Sequence, residues 1–340
     1  MLQFFHKRWF LTSLFILIPM GLGLGALWPE QDPQSVIGRL APWSKLLTPF
    51  VLLLMSITLD SGRMWSAIKE PGAVLYATFV NMAVLPLLTL PFLRLQMHPD
   101  YVAGLMVASS VPCTMAAASV WTRKAEGNDA VSMLVTILTN GLCFLVTPLW
   151  LQFGIGAKVD IDMWQMVIKL IQSALVPILI GQAARWIGPL KRVADKLKTP
   201  LGATAQICIL LIVFSAALLQ GPQLRATPMG GSLLWATLIA AASVTVLHVL
   251  ALIIAFWGSI GLNCTKVDVV AITFAGSQKT LPIGIYIATE LLTDVPFAVY
   301  PMLMFHAMQL FVDTLLLERL KRWNLGGVSN QVDGPANTST

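Results

Sequence analysis

Lys279 stands in FAGSQKTLPIG, Phe274 to Gly284, inside an apolar stretch running from about 268 to 290. If that stretch is a helix crossing a membrane, the lysine lies about eleven residues, or ~16 Å, from either end, too far for its stem to carry the ammonium to water. A lysine at the centre of such a helix costs ~2.5 to 3.5 kcal/mol on insertion scales, so it must face protein partners or a cavity. Two roles fit: a tether for freed backbone carbonyls, or a functional cation. MFHAMQ offers a second polar pair, because His306 and Gln309 are three residues apart and share a helix face. His306 fits a cavity lining and a structural hydrogen bond equally well. His248, in TVLHVLALII, has no such polar neighbour and reads as a satisfied packing residue. Enzymatic chemistry finds little footing. The chain has no HExxH, no GxSxG and no deep acidic pair, and Cys113, Cys143, Cys208 and Cys264 form no CxxC or metal-ligand spacing. No resident cofactor or metal site is expected.

The elements that must position these residues follow from composition. Of 340 residues, 56% are hydrophobic and only 11% charged, and mean hydropathy is +0.77, whereas a soluble domain carries about a quarter charged residues. The chain reads as an all-α integral membrane protein whose one certain partner is the lipid bilayer. Spans need about 20 mainly apolar residues, and ten can be placed, at 9–28, 43–60, 73–95, 101–122, 128–154, 163–187, 200–220, 232–260, 268–290 and 295–318. The opening HKRWFLTSLFILIPMGLGLGALW has a signal-like basic start, but its apolar run is long enough to span and is expected to stay as the first helix. With the N-terminus inside, 15 Lys and Arg fall in inner segments against four outside, Arg39, Arg94, Lys158 and Arg225, which puts both termini in the cytoplasm. The net charge of +6 is therefore a topology signal and calls for no nucleic acid. Residues 1–322 form one transmembrane unit, and 323–340 read as a disordered polar tail. Lys169 and Asp313 lie close enough to span ends to reach the interface.

Span four, ASSVPCTMAAASVWTRKAEGN, and span nine, VAITFAGSQKTLPIGIYIATE, each carry small or polar residues beside Pro or Gly. Each is fourth in its group of five, and five is odd, so the halves, about 8–155 and 160–320, run in opposite senses. Paired interruptions of this kind point to an inverted-repeat transporter, whose broken helices offer free N–H and C=O groups near the midplane. Two merely kinked helices are the plainer alternative.

At these residues the chain resembles the bile acid:sodium symporter superfamily, and within it the symporter-like branch that includes the orphan seventh vertebrate member. The resemblance spans about residues 8 to 322 and is carried by GSQKTLPIG, by GNDAVSMLVTILTN (Gly127 to Asn140) and by MFHAMQ. It implies a panel of spans one, two, six and seven against a core of the other six, with broken helices four and nine crossing in the core. It further implies sodium ligands at Asn81, Ser132, Thr136 and Gln278, with carbonyls from Ala275 and Ser277, and with Thr114 and Ser119 from span four. Where the family has a shared glutamate this chain has Phe274, and where an amide follows the glutamine it has Lys279. A negative charge is lost and a positive one gained, so the ammonium is expected to replace the coupling cation, its three N–H donors using the same oxygens.

The function expected is a secondary transporter of a small organic anion in the plasma membrane, or the inner membrane of a bacterium. Lys279 would either stay charged and help hold the anion or, since burial disfavours its charged form, release a proton in the cycle. Coupling by sodium at a residual site is one alternative. A non-transporting regulator or scaffold is another, because eukaryotic members of the orphan branch are associated with calcium handling. A sodium/proton antiporter would need a deep acid, and Asp60, Asp268, Glu290 and Asp313 all fall near expected span ends.

Overall fold

The computed structural model describes residues 9–27, 36–60, 62, 71–115, 117–156, 159–226 and 231–326. Every element among them is helical. They are α1 (Trp9–Leu27), α2 (Val36–Thr58), α3 (Pro71–Leu93, with a π-helical turn at Val80–Val84), α4 (Pro99–Ser110), α5 (Ala118–Lys124) and α6 (Asp129–Ile155). Then follow α7 (Met163–Ala184, with a π-helical turn at Ile171–Leu175), α8 (Gly188–Lys196), α9 (Lys198–Ala226) and α10 (Gly231–Gly261). The chain closes with α11 (Lys266–Ser277), α12 (Leu281–Tyr286, continued by a π-helical turn at Ile287–Leu291) and α13 (Val299–Leu325).

Seven helices among the described residues are long and apolar enough to cross a membrane: α1, α3, α6, α7, α9, α10 and the segment ending in α13. They correspond to spans one, three, five, six, seven, eight and ten. The apolar part of α2 is shorter, Leu46–Thr58. Spans four and nine are each interrupted: α4 stops at Ser110 and α5 begins at Ala118, while α11 stops at Ser277 and α12 begins at Leu281. Leu75, Leu87, Leu179, Leu234 and Trp235 are all more than half exposed, an outward apolar surface suited to lipid and costly in water.

Two packing groups form. In the first, α9 lies against α1 and α2, and α2 against α7. Gly21 and Gly25 of α1 meet Ala217 and Gly221 of α9, and a Cβ on Gly25 would overlap the Leu218 carbonyl oxygen. Small residues spaced by four let the backbones touch, the usual way for helices to gain contact in lipid. In the second group α11 is central, packed by α3, α5, α6, α10 and α13. Its N-terminus is tied to the turn before α6: Asn128 Nδ2 donates to Asp268 Oδ1 at 2.7 Å, and Asn128 N–H to the Val267 carbonyl at 2.9 Å.

One boundary differs from expectation. Helix α13 continues past 318 to Leu325, through Trp323 and Asn324, which the sequence assigned to the tail. Trp323 stacks edge-on to Phe256 at 5.0 Å, and buried Asn324 donates to the Ala125 and Glu126 carbonyls. These tertiary contacts extend the helix beyond its apolar run. The tail from 327 on, and the basic residues Lys7, Arg8, Arg63, Lys69 and Lys158 used for orientation, lie outside the described residues.

A candidate ion and substrate site at two broken helices

Pro112 ends α4. A residue before proline is driven out of the helical region, and Val111 has ψ 157°. Helix α11 ends as Gln278 turns extended, with ψ 146°, and Pro282 starts α12, where its fixed φ suits the first turn. The two breaks meet: Thr280 N–H donates to the Pro112 carbonyl at 2.9 Å.

A third freed carbonyl comes from α3. In its π-helical turn Leu85 N–H bonds Val80 O, and Pro86, next in line, has no N–H. Asn81 O is thus left without a helical donor. Lys279 fills the gap. It is fully buried, and its Nζ donates to Asn81 O at 2.6 Å, Val111 O at 2.8 Å and Asn81 Oδ1 at 3.1 Å. Three N–H groups have three acceptors. Asn81 also reaches the end of α11, its Nδ2 donating to the carbonyls of Gln278 at 2.9 Å, Ala275 at 3.1 Å and Gly276 at 3.4 Å. Asn81, Ala275, Gln278 and Lys279 are therefore one connected set.

The Lys279 peptide is held from α13. Gln309 Oε1 accepts from Lys279 N–H at 2.8 Å, and Gln309 Nε2 donates to Lys279 C=O at 2.9 Å and to His306 Nδ1 at 2.8 Å. The backbone N–H can only donate, which fixes which end of the amide is oxygen. His306 Nδ1 must then accept, so the neutral ring carries its proton on Nε2. Among the described residues that nitrogen has no hydrogen-bond partner. His306 lines a cavity of about 650 Å³ together with Trp9, Phe10, Trp121, Lys124 and Gln206. A second cavity, about 700 Å³, is lined by Phe15, Leu22, Leu233, Tyr300 and Met308 and offers almost no polar group.

Two residues were missed. His248 lies against Asp313: its Nε2 is 3.0 Å from Asp313 Oδ1, its Nδ1 is 3.3 Å from Ser277 O, and both side chains are fully buried. Gln278 Nε2 donates to Asp313 Oδ2 at 2.6 Å. Asp313 does not reach the interface, because the longer α13 places it mid-helix. The available signal was a lone Asp within LFVDTLLL, together with a second deep histidine. The network thus buries an acidic and a basic side chain on either side of Gln278.

The remaining expected residues lie farther out. Ser132 Oγ is 2.7 Å from Thr122 Oγ1, and Thr136 Oγ1 donates to Ser132 O at 2.7 Å. This second cluster joins the α4 break through Asn140, which donates to Cys113 O at 2.8 Å. Thr114 is buried in that break. Ser119 accepts from Arg123 Nη1 at 2.7 Å, away from Lys279. Phe274, in the place of the expected glutamate, is packed with Ala125, Val270 and Leu320 in an apolar cluster. With that position apolar and the oxygens of Asn81 and Val111 already bonded to an ammonium, the residues around Lys279 do not fit a sodium ion. Among the described residues no group of His, Cys, Asp and Glu could hold a metal.

A model of the SBF-like CPA transporter family matches residues 8–322. The chain is 25% identical over 333 residues to sodium/bile acid cotransporter 7 of Danio rerio, covering 94% of this chain and 96% of that one. It is 24% identical over 318 residues to a probable chloroplastic sodium/metabolite cotransporter, BASS4, of Oryza sativa, covering 88% and 74%. It is also 27% identical over 255 residues to the putative symporter YfeH of Escherichia coli, covering 73% and 74%.

Proposed function

The chain belongs to the SBF-like CPA transporter family, and on that premise we propose that it is a secondary transporter for a small organic anion in which Lys279 takes the place of the coupling cation. The fold that goes with this reading is ten spans in two inverted five-helix repeats, core against panel, with both termini cytoplasmic. The observation that carries it is the coordination of Lys279 Nζ by Asn81 O, Asn81 Oδ1 and Val111 O. These oxygens belong to a π-helical turn and a broken helix, both of which release carbonyls suited to a cation.

An ammonium on the chain cannot exchange with solution, so transport would not draw on a sodium gradient and the anion would move by facilitation or exchange. All three N–H groups of Lys279 are spent on protein oxygens, which leaves anion recognition to the cavity. There Lys124 supplies a positive charge, and Trp9, Phe10 and Trp121 an apolar bed beside the His306 ring. Gln309 bonds both His306 and the Lys279 peptide, so a substrate at His306 is one side chain away from the crossing of the broken helices.

A sodium-coupled reading is favoured by the names of two relatives and by Gln278 Oε1 and Asn140 Oδ1, buried oxygens with no hydrogen-bond partner among the described residues. Melting temperatures of the purified protein in sodium, potassium and choline salts at equal ionic strength separate the readings. The surrogate reading expects no sodium-specific rise. A rise in sodium alone overturns it and restores sodium coupling.

A further inference from the structure

Helix α8 joins α7 to α9, too short to span and far from the site just described. Trp186, Leu190, Val193 and Leu197 recur at steps of four, three and four, which sets them on one face of the helix and its flanks. They are 84%, 43%, 53% and 42% exposed. Ala194, on the neighbouring edge, is buried where α8 packs on α2 and α9. Lys191, Arg192 and Lys196 are exposed and flank the apolar stripe.

The helix is held rigidly to the bundle. Buried Arg185, at the end of α7, donates Nη1 to Ile57 O of α2 at 2.8 Å and Nη2 to Asp195 Oδ1 of α8 at 2.8 Å. Asp195, the one acid on α8, is paired with Arg185 while its side chain stays about half exposed, and the three basic residues outnumber it on the helix.

We propose that α8 docks on the headgroup layer of an anionic phospholipid leaflet, its apolar stripe in the headgroup–acyl boundary and its basic residues on lipid phosphates. Its position argues for this occupant. The helix hangs between two spans, so it sits at a membrane surface, and an apolar face flanked by Lys and Arg is the pattern of an interfacial helix. The basic flank supplies the charge complementarity, since each Lys or Arg close to an anionic leaflet adds attraction. Through Arg185 the contact would anchor α2 and α7 to that leaflet, and through the packing of α8 on α9 that helix as well.

The test is the melting temperature of the full chain in lipid nanodiscs of phosphatidylcholine alone or with one part phosphatidylglycerol to two of phosphatidylcholine. The anionic lipid is expected to raise it by about 5 °C. The rise should vanish in ~1 M salt, where the screening length is ~3 Å. It should also vanish in a Lys191→Gln, Arg192→Gln, Lys196→Gln variant that melts with the wild type in phosphatidylcholine. A wild type indifferent to phosphatidylglycerol, or a triple variant that keeps the full rise, overturns the proposal. Inorganic phosphate added to phosphatidylcholine discs should change nothing; an equal rise there would mean a soluble phosphate site and overturn the membrane assignment.

Discussion

Replacing Lys279 by alanine tests whether the oxygens around its ammonium are a cation site or only the anchor of a strut. The change strips donors from Asn81 O, Asn81 Oδ1 and Val111 O, all fully buried, and opens a space where the stem ran. Hydrogen bonds to a charged group contribute ~1.5–3 kcal/mol each, part of which is offset because the ammonium no longer has to be desolvated. A net loss of ~3–5 kcal/mol follows, in the range for breaking a buried ionic contact. If the oxygens form a cation site, a small soluble cation should restore part of this loss. At a hundredfold excess over Kd, binding to the folded state returns ~2.7 kcal/mol, or about 5 °C at the lower end of the usual conversion. The assay is a thermal melt of the Lys279→Ala protein in sodium, methylammonium and choline chlorides at one ionic strength. Sodium or methylammonium should raise the midpoint above choline, while the wild type stays indifferent. A variant that melts low and equally in all three salts would refute the cation-site argument and leave Lys279 a structural tether.

Gln309→Glu removes both amide donors, so His306 Nδ1 must become the proton-bearing nitrogen; ¹⁵N spectra of labelled histidine should report the switch, and an unchanged tautomer would disprove the clamp. Asp313→Asn and His248→Phe should be coupled by ~0.5–3 kcal/mol in a double-mutant melting cycle, and strict additivity would mean that the 3.0 Å contact carries no energy. Gly25→Val should destabilise by at least ~1–3 kcal/mol through overpacking against Leu218 of α9. Gly23→Val, with open space around its Cβ position, should melt with the wild type, and equal melts for both variants would show that α1 and α9 do not meet as described.

The class of this protein and the two interrupted spans can be read along the chain. Composition demands a bilayer, and Pro112, Pro282 and the small residues beside them mark spans four and nine, although Pro19 and Pro148 sit inside unbroken helices, so proline alone does not make a break. The depth of Lys279 was likewise legible, because an apolar run of known rise fixes its distance from water. Pro86 by itself frees only the carbonyl four residues back, Met82 O, which accepts from Trp150 Nε1; that Asn81 O is also free follows from the π-helical turn, seen only in the structure.

What each polar group faces follows from the packing of distant helices. Lys279 is separated from Asn81 by 198 positions and from Val111 by 168, and no local pattern links them. Asp313 was misplaced because its helix was ended where the apolar run ends, at 318, while Trp323 and Asn324 gain contacts that carry α13 to Leu325. His248 lacked a visible partner for the same reason, since its acid lies 65 residues away. Local sterics and hydropathy act over one or two helical turns and can be read along the chain. Satisfying a buried charge depends on which helices pack together, and that is settled only when the whole bundle closes.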